Sequence, residues 1–207
     1  LGQPVTLVAE AVYARIVSAL KEQRVEAAPA LSGPDQTVEE LSLDDVASAM
    51  YCSKIVSYAQ GFLLMRAAAA EYDWDLDYGR IASLWREGCI IRAAFLDDIT
   101  AAFDRTPDLT SLLLDEFFSS AIEEHQAGWR RVIQIAVAAG IPVPAYSSAL
   151  AFYDAYRSER LPANMIQAQR DYFGAHTYER VDRTRGEYFH TNRTGTGGST
   201  TAGSYDA

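Results

Sequence analysis

The sequence predicts an all-α fold: a large helical bundle followed by an extended C-terminal tail. Three observations carry this. Apolar residues recur at three- and four-residue steps through most of the 207 residues, which is helical spacing. Period-two alternation, the mark of a half-buried strand, is missing over most of the chain. Proline and glycine fall at intervals that suit helix starts and stops.

Pro4 stands where a first helical turn tolerates it, and Val5, Val8, Val12, Ile16 and Ala19 follow on one stripe. A helix of roughly two dozen residues is expected there, ending near Glu26. "AAPALSGPD" then reads as a loop. Ser42, with Asp45 three residues on, is an N-cap signature for a helix from Leu43 to about Tyr72. That helix is apolar on most faces, as the central helix of a bundle would be. "DWDLDYG" predicts a turn, and shorter helices are expected over 79–86 and 89–104. Pro107 opens the next helical stretch, and Gly140 with Pro142 and Pro144 ends the one after it. Helices over 146–159 and from Ala163 to Gly174 complete a helical domain of residues 1–180. Residues 181–207 have few aliphatics and many Gly, Ser and Thr. Such a tail cannot bury enough apolar area to order itself, so it is either disordered or docked, with Tyr188 and Phe189 as its anchors.

Composition narrows the class. Hydrophobic residues at 49% and charged residues at 22% describe a globular protein. No apolar run is long enough to span a membrane, and no signal-peptide pattern is present. The chain begins with Leu1 rather than Met, so an upstream segment is expected. A net charge of −10 argues against nucleic acid as the main partner. The charge is uneven, with residues 157–207 at +1 and residues 1–156 at −11. Cys52 and Cys89 lack the spacing of a disulfide framework or a metal site. They read as buried thiols of a reducing, cytoplasmic compartment. The Asn192 sequon stands alone as a sign of secretion and is discounted.

Catalytic motifs are scarce. "EEHQ" around His125 lacks the Glu-x-x-His spacing of di-iron bundles. "GTGGST" at 195–200 follows no strand and opens no helix, so it fails as a phosphate loop. Three cations remain. Arg15 falls on the stripe of Val8, Val12 and Ala19, where a guanidinium is costly unless paired or solvated. Its planar fork suits a phosphate or carboxylate, and a structural salt bridge or a snorkelling chain is equally open. Arg170 and His176 would lie about 120° apart on a continuous helix. Gly174 between them is a natural terminator, beyond which His176 could fold back. On spacing alone they read as a surface arginine and a capping histidine.

"WREGCIIRAAFLDDITAAF", "AGIPVPAYSSALAFYDAYR", "LPANMIQAQRDYFGAHTYER", "SKIVSYAQGF" and "HTNRTGTGG" together resemble the decarboxylating 6-phosphogluconate dehydrogenases. The resemblance runs through nearly the whole chain in the family's order and covers roughly the C-terminal two-fifths of such an enzyme. It implies an NADP-dependent oxidative decarboxylation of 6-phosphogluconate to ribulose 5-phosphate, without a metal. It also implies a homodimer whose tail reaches the other subunit. By the resemblance Arg15 holds substrate from its own subunit, and Arg170 with His176 enters the neighbour's site to grip the phosphate. The family's dinucleotide fingerprint and catalytic lysine and glutamate would lie upstream of residue 1, so NADP would be held mainly there and the chain alone would be inactive. Arg193 stands where the family has Trp, which weakens the expectation of a firmly docked tail. A rival of another class is a free-standing, non-catalytic helical dimer that binds a sugar phosphate or a protein partner; the upstream reading frame discriminates the two.

Overall fold

The computed structural model describes residues 1–34, 41–86 and 88–192. Arg193, the glycine-rich stretch at 195–200 and most of the tail therefore lie outside the described residues. Eight α-helices occur among those described: α1 (Thr6–Ala19), α2 (Lys21–Ala30), α3 (Leu43–Tyr72), α4 (Tyr78–Leu84), α5 (Leu96–Arg105), α6 (Glu116–Ala138), α7 (Pro144–Tyr156) and α8 (Ala163–Gly174). A 3-10 turn, Leu112–Leu114, precedes α6, and two short strands, β1 (Tyr178–Glu179) and β2 (Tyr188–Phe189), follow α8. The fold is all-α. The chain divides into two compact units, Leu1–Asp154 and Ala155–Ala207.

In the first unit α3 is the central element. It spans the expected residues, and Ser42 Oγ accepts from Asp45 N–H at 3.0 Å, satisfying one of the donors a helix start leaves open. Ala49, Cys52, Ile55, Val56, Ala59 and Phe62 are buried along it. Beyond Phe62 the helix is half-buried and then exposed, so the all-round apolar character marks a core helix only as far as that residue. Against α3 lies α6, with Phe118, Ile122 and Trp129 fully buried. The two helices lie close together at Gly128, where a Cβ would sit 2.7 Å from Asp45 Oδ1 and 3.1 Å from Asp45 Cα. Burial pushes the Cys52 thiol up to about 12, which keeps it protonated and inert. Cys89 is only half-buried, unlike the expected buried thiol.

Several boundaries differ from the sequence expectation. The first helix breaks at Leu20 (φ −80°, ψ 51°), giving α1 and α2. Helix α2 runs on into the expected loop and includes Pro29. Pro29 is the next-to-last residue of α2, so the one hydrogen bond its missing N–H forfeits, to Val25 O, falls in the last turn. Helix α5 starts at Leu96 rather than 89, after turns in which Gly88 takes φ +70°. Pro107 opens turns, not a helix; α6 starts at Glu116, where Asp115 Oδ1 accepts from Phe117 N–H at 3.1 Å. The stop at Gly140 is as expected: it adopts φ +67°, and Ile141 N–H closes on Ala136 O at 2.8 Å.

Candidate functional site

The second unit places Arg170 and His176 side by side. Helix α8 carries Arg170 in its last turns and ends when Ala175 enters the left-handed region at φ 51°, ψ 34°, with its N–H on Asp171 O. Gly174 was expected to terminate the helix by conformational freedom. Instead it is the last helical residue, and Ala175 makes the turn. What Gly174 supplies is space: a Cβ there would lie 3.0 Å from His176 Cδ2 and 3.2 Å from Nε2. The imidazole packs on the bare α-carbon.

That turn brings His176 Nδ1 to 3.4 Å from Arg170 Nη2. Arginine can only donate, so the contact requires Nδ1 to accept and leaves the proton on Nε2. Arg170 is exposed and His176 half-buried. The guanidinium keeps further N–H donors beyond the two in use. A guanidinium beside an Nε2–H donor is suited to a compact anion such as a phosphate.

Gln167, one turn before Arg170, was not singled out by sequence reasoning. Its Oε1 accepts from Arg170 Nη1 at 3.0 Å, and its Nε2 donates to Thr177 O at 2.6 Å and His176 O at 3.3 Å. The only available signal was the three-residue spacing from Arg170, which puts both on one helix face. Asp171 was also missed. It is fully buried, and its carboxylate accepts from Thr191 N–H at 2.9 Å and pairs with His190 Nδ1 at 2.9 Å. This clips the β1–β2 hairpin to α8. Tyr178 pairs with Phe189 and Glu179 with Tyr188, while the Arg180 guanidinium stacks 5.5 Å from the Phe189 ring centroid. The chain beyond Arg180 is thus ordered locally as far as Asn192, though Tyr188 stays exposed.

Arg15 belongs to the first unit. Its stripe is not buried: Val8, Val12 and Ile16 are each more than half exposed, and within α1 only Leu7 reaches the core. The first turn is fastened by the buried Gln60 of α3, which accepts from Leu7 N–H at 3.1 Å and donates to Thr6 Oγ1 at 2.9 Å. Arg15 reaches solvent, so the expected cost of a buried guanidinium does not arise. Its Nη1 donates to Ser18 Oγ at 3.2 Å, and no carboxylate pairs with it among the described residues. His125 joins no ligand set: its Nδ1 meets Ser48 Oγ at 3.0 Å and its ring stands edge-on to Tyr51. Among the described residues no three His, Cys, Asp or Glu side chains converge on one point, and no helix is long and apolar enough to cross a membrane.

Comparison with known proteins adds to this geometry. The family model described as "6-phosphogluconate dehydrogenase, C-terminal domain" matches residues 1–193. The decarboxylating 6-phosphogluconate dehydrogenase of Rattus norvegicus is 58% identical over 210 aligned residues, and that of Homo sapiens 54%. Each alignment covers all of this chain and 43% of the relative. A solved structure of the Plasmodium falciparum 6-phosphogluconate dehydrogenase, studied in its apo form, with its cofactor NADP+ and with its substrate 6-phosphogluconate, is similar at a TM-score of 0.81 and 40% identity. That match covers 88% of this chain and 40% of the other. The chain spans less than half the length of the relatives it matches.

Proposed function

The chain belongs to the 6-phosphogluconate dehydrogenase family, as its C-terminal domain, and on that premise we propose that it forms the C-terminal portion of an NADP-dependent decarboxylating enzyme. The reaction is the oxidation of 6-phosphogluconate with loss of CO2 to ribulose 5-phosphate. The observation that carries the reading is the juxtaposition of Arg170 and His176, a guanidinium and an imidazole turned to one side by the α8 terminus. In this reading they hold the substrate phosphate, while Arg15 contacts substrate from the other subunit of a homodimer. Residues 1–180 provide dimerisation and substrate binding, and residues 181–207 dock on the partner. A cytoplasmic setting belongs to the same proposal.

The described residues do not themselves suit NADP. Dinucleotides sit at the C-terminal ends of parallel strands, on a glycine-rich turn into a helix, whereas the strands described here form one two-residue antiparallel pair. The cofactor is therefore assigned to the rest of the enzyme, and the chain's own part is to bind and orient the substrate.

The test joins the remaining N-terminal length of the rat relative to this chain. The fusion is expected to form NADPH only with 6-phosphogluconate present, and the chain alone to form none. In the fusion Arg170→Ala should raise KM for 6-phosphogluconate about tenfold or more, since a charge-assisted contact is lost, and leave KM for NADP unchanged. An unchanged sugar-phosphate KM would remove Arg170 from the site.

A further inference from the structure

We propose that Gln167 is the positioning residue of this anion site, fixing the Arg170 guanidinium and the His176 backbone relative to each other through one side-chain amide. The inference rests on the reading of Arg170 and His176 as a phosphate grip. Its own support is the hydrogen-bond pattern. Arg170 Nη1 donates to Gln167 Oε1, and Gln167 Nε2 donates to His176 O and Thr177 O. Arginine only donates and carbonyls only accept, so a single orientation of the amide satisfies all three contacts. No other neutral side chain of this length offers an acceptor and a donor on one rigid plane. Asparagine is a methylene shorter. Glutamate would set a carboxylate against two carbonyl oxygens and hold Arg170 in competition with an incoming phosphate.

The placement also fits a supporting role. Gln167 is half-buried under the turn, whereas Arg170 is exposed. An arginine side chain gives up considerable rotamer freedom when it is fixed. Gln167 fixes it before the ligand arrives, which lowers the ordering cost of binding. It engages only one N–H of Nη1, and with Nη2 beside His176 the guanidinium still keeps further N–H donors.

The test uses the chain itself, with inorganic phosphate as probe and the His176 Cε1–H resonance as reporter. Gln167→Met keeps the side-chain length and removes all three hydrogen bonds. Wild type is expected to give a saturable shift, Gln167→Met a Kd about tenfold weaker, and Arg170→Ala a greater loss. Gln167→Glu adds a readout that altered packing would not move. Its Kd relative to wild type should be poorest near neutral pH and recover as pH falls toward the usual glutamate value of about 4.3, where the neutral acid again both donates and accepts. In the fusion enzyme Gln167→Met should raise the 6-phosphogluconate KM with little change in kcat. Unchanged phosphate affinity in Gln167→Met, with binding lost in Arg170→Ala, would overturn the positioning role and leave the anion site standing. A pH-independent deficit in Gln167→Glu would reduce Gln167 to packing and overturn it as well. No saturable response in wild type, or none lost in Arg170→Ala, would overturn the anion site and this role with it.

Discussion

Two neighbouring residues, Gly174 and Ala175, divide the work that glycine alone does at many helix ends. An alanine in the left-handed region costs about 1 kcal/mol, yet here it is Ala175 that turns the chain while Gly174 stays helical. The apparent inversion is explained by the His176 ring, which occupies the space a Cβ at 174 would need. Gly174→Ala should therefore leave α8 intact, or favour it slightly, since alanine is the better helix former. Its effect should fall on the imidazole, which must shift by a few tenths of an ångström or more and lose Arg170. Phosphate affinity measured at the His176 resonance is expected to drop several-fold with little change in melting temperature. A large loss of stability with unchanged affinity would mean that the glycine serves the turn after all. Arg170 and His176 were legible as residues because the surrounding motif carries them. Gln167 was not: a glutamine on a helix face leaves no mark in a sequence until the partners it bridges are known to lie within reach.

Among the elements, the pairing of α3 with α6 shows what periodicity reads well and what it misses. Helix α3 emerged with its bounds and its Ser42 cap, because a long apolar period and a capping residue are both local signals. The break at Leu20 did not, because no glycine or proline marks it. The late start of α6 was hidden by Pro107, which resembles a helix opening but leads into turns that end at the Asp115 cap. The ion pair between α3 and α6 was hidden too, since Asp45 and Arg131 are 86 residues apart in sequence. The Arg131 guanidinium beside Asp45 holds its carboxyl below the ordinary 3.8, through hydrogen bonding first and charge second. A depressed carboxylate pKa means that the folded state binds the proton less tightly than the unfolded chain. The stabilisation is thus present above about pH 3.8 and fades as pH falls through the lower folded value. Asp45→Asn should lower the melting temperature modestly at pH 7 and progressively less at acid pH, because a pair whose guanidinium is more than half in solvent is worth little even when intact. Equal destabilisation at neutral and acid pH would trace the effect to the helix start rather than to Arg131.

For the whole molecule, family membership was legible because five separated motifs occur in order, which no single helix pattern could supply. The state of assembly is argued from surface and charge together. Helix α1 leaves Val8, Val12, Tyr13, Ile16 and Val17 open to solvent, each at 52–61% exposure, and Arg15 is exposed beside them. Several exposed large apolar side chains on one helix suit an interaction site, and the proposed homodimer would supply a second copy to cover them. The net charge of −10 opposes that association, because two like-charged chains repel over a distance set by ionic strength. The two terms have opposite salt responses. Screening removes the repulsion while apolar burial is undiminished, so the dimer should strengthen as salt rises from about 50 mM to about 500 mM. Sedimentation equilibrium is expected to show a species approaching twice the 22.8 kDa of one chain, its fraction increasing with salt. Ile16→Glu, placed on an exposed position and so leaving the helical fold unchanged by circular dichroism, should shift the population to monomer. Dissociation at high salt would point to an interface held by ion pairs instead of α1. A monomer at every salt concentration, in wild type and variant alike, would remove the self-association of this chain from the account.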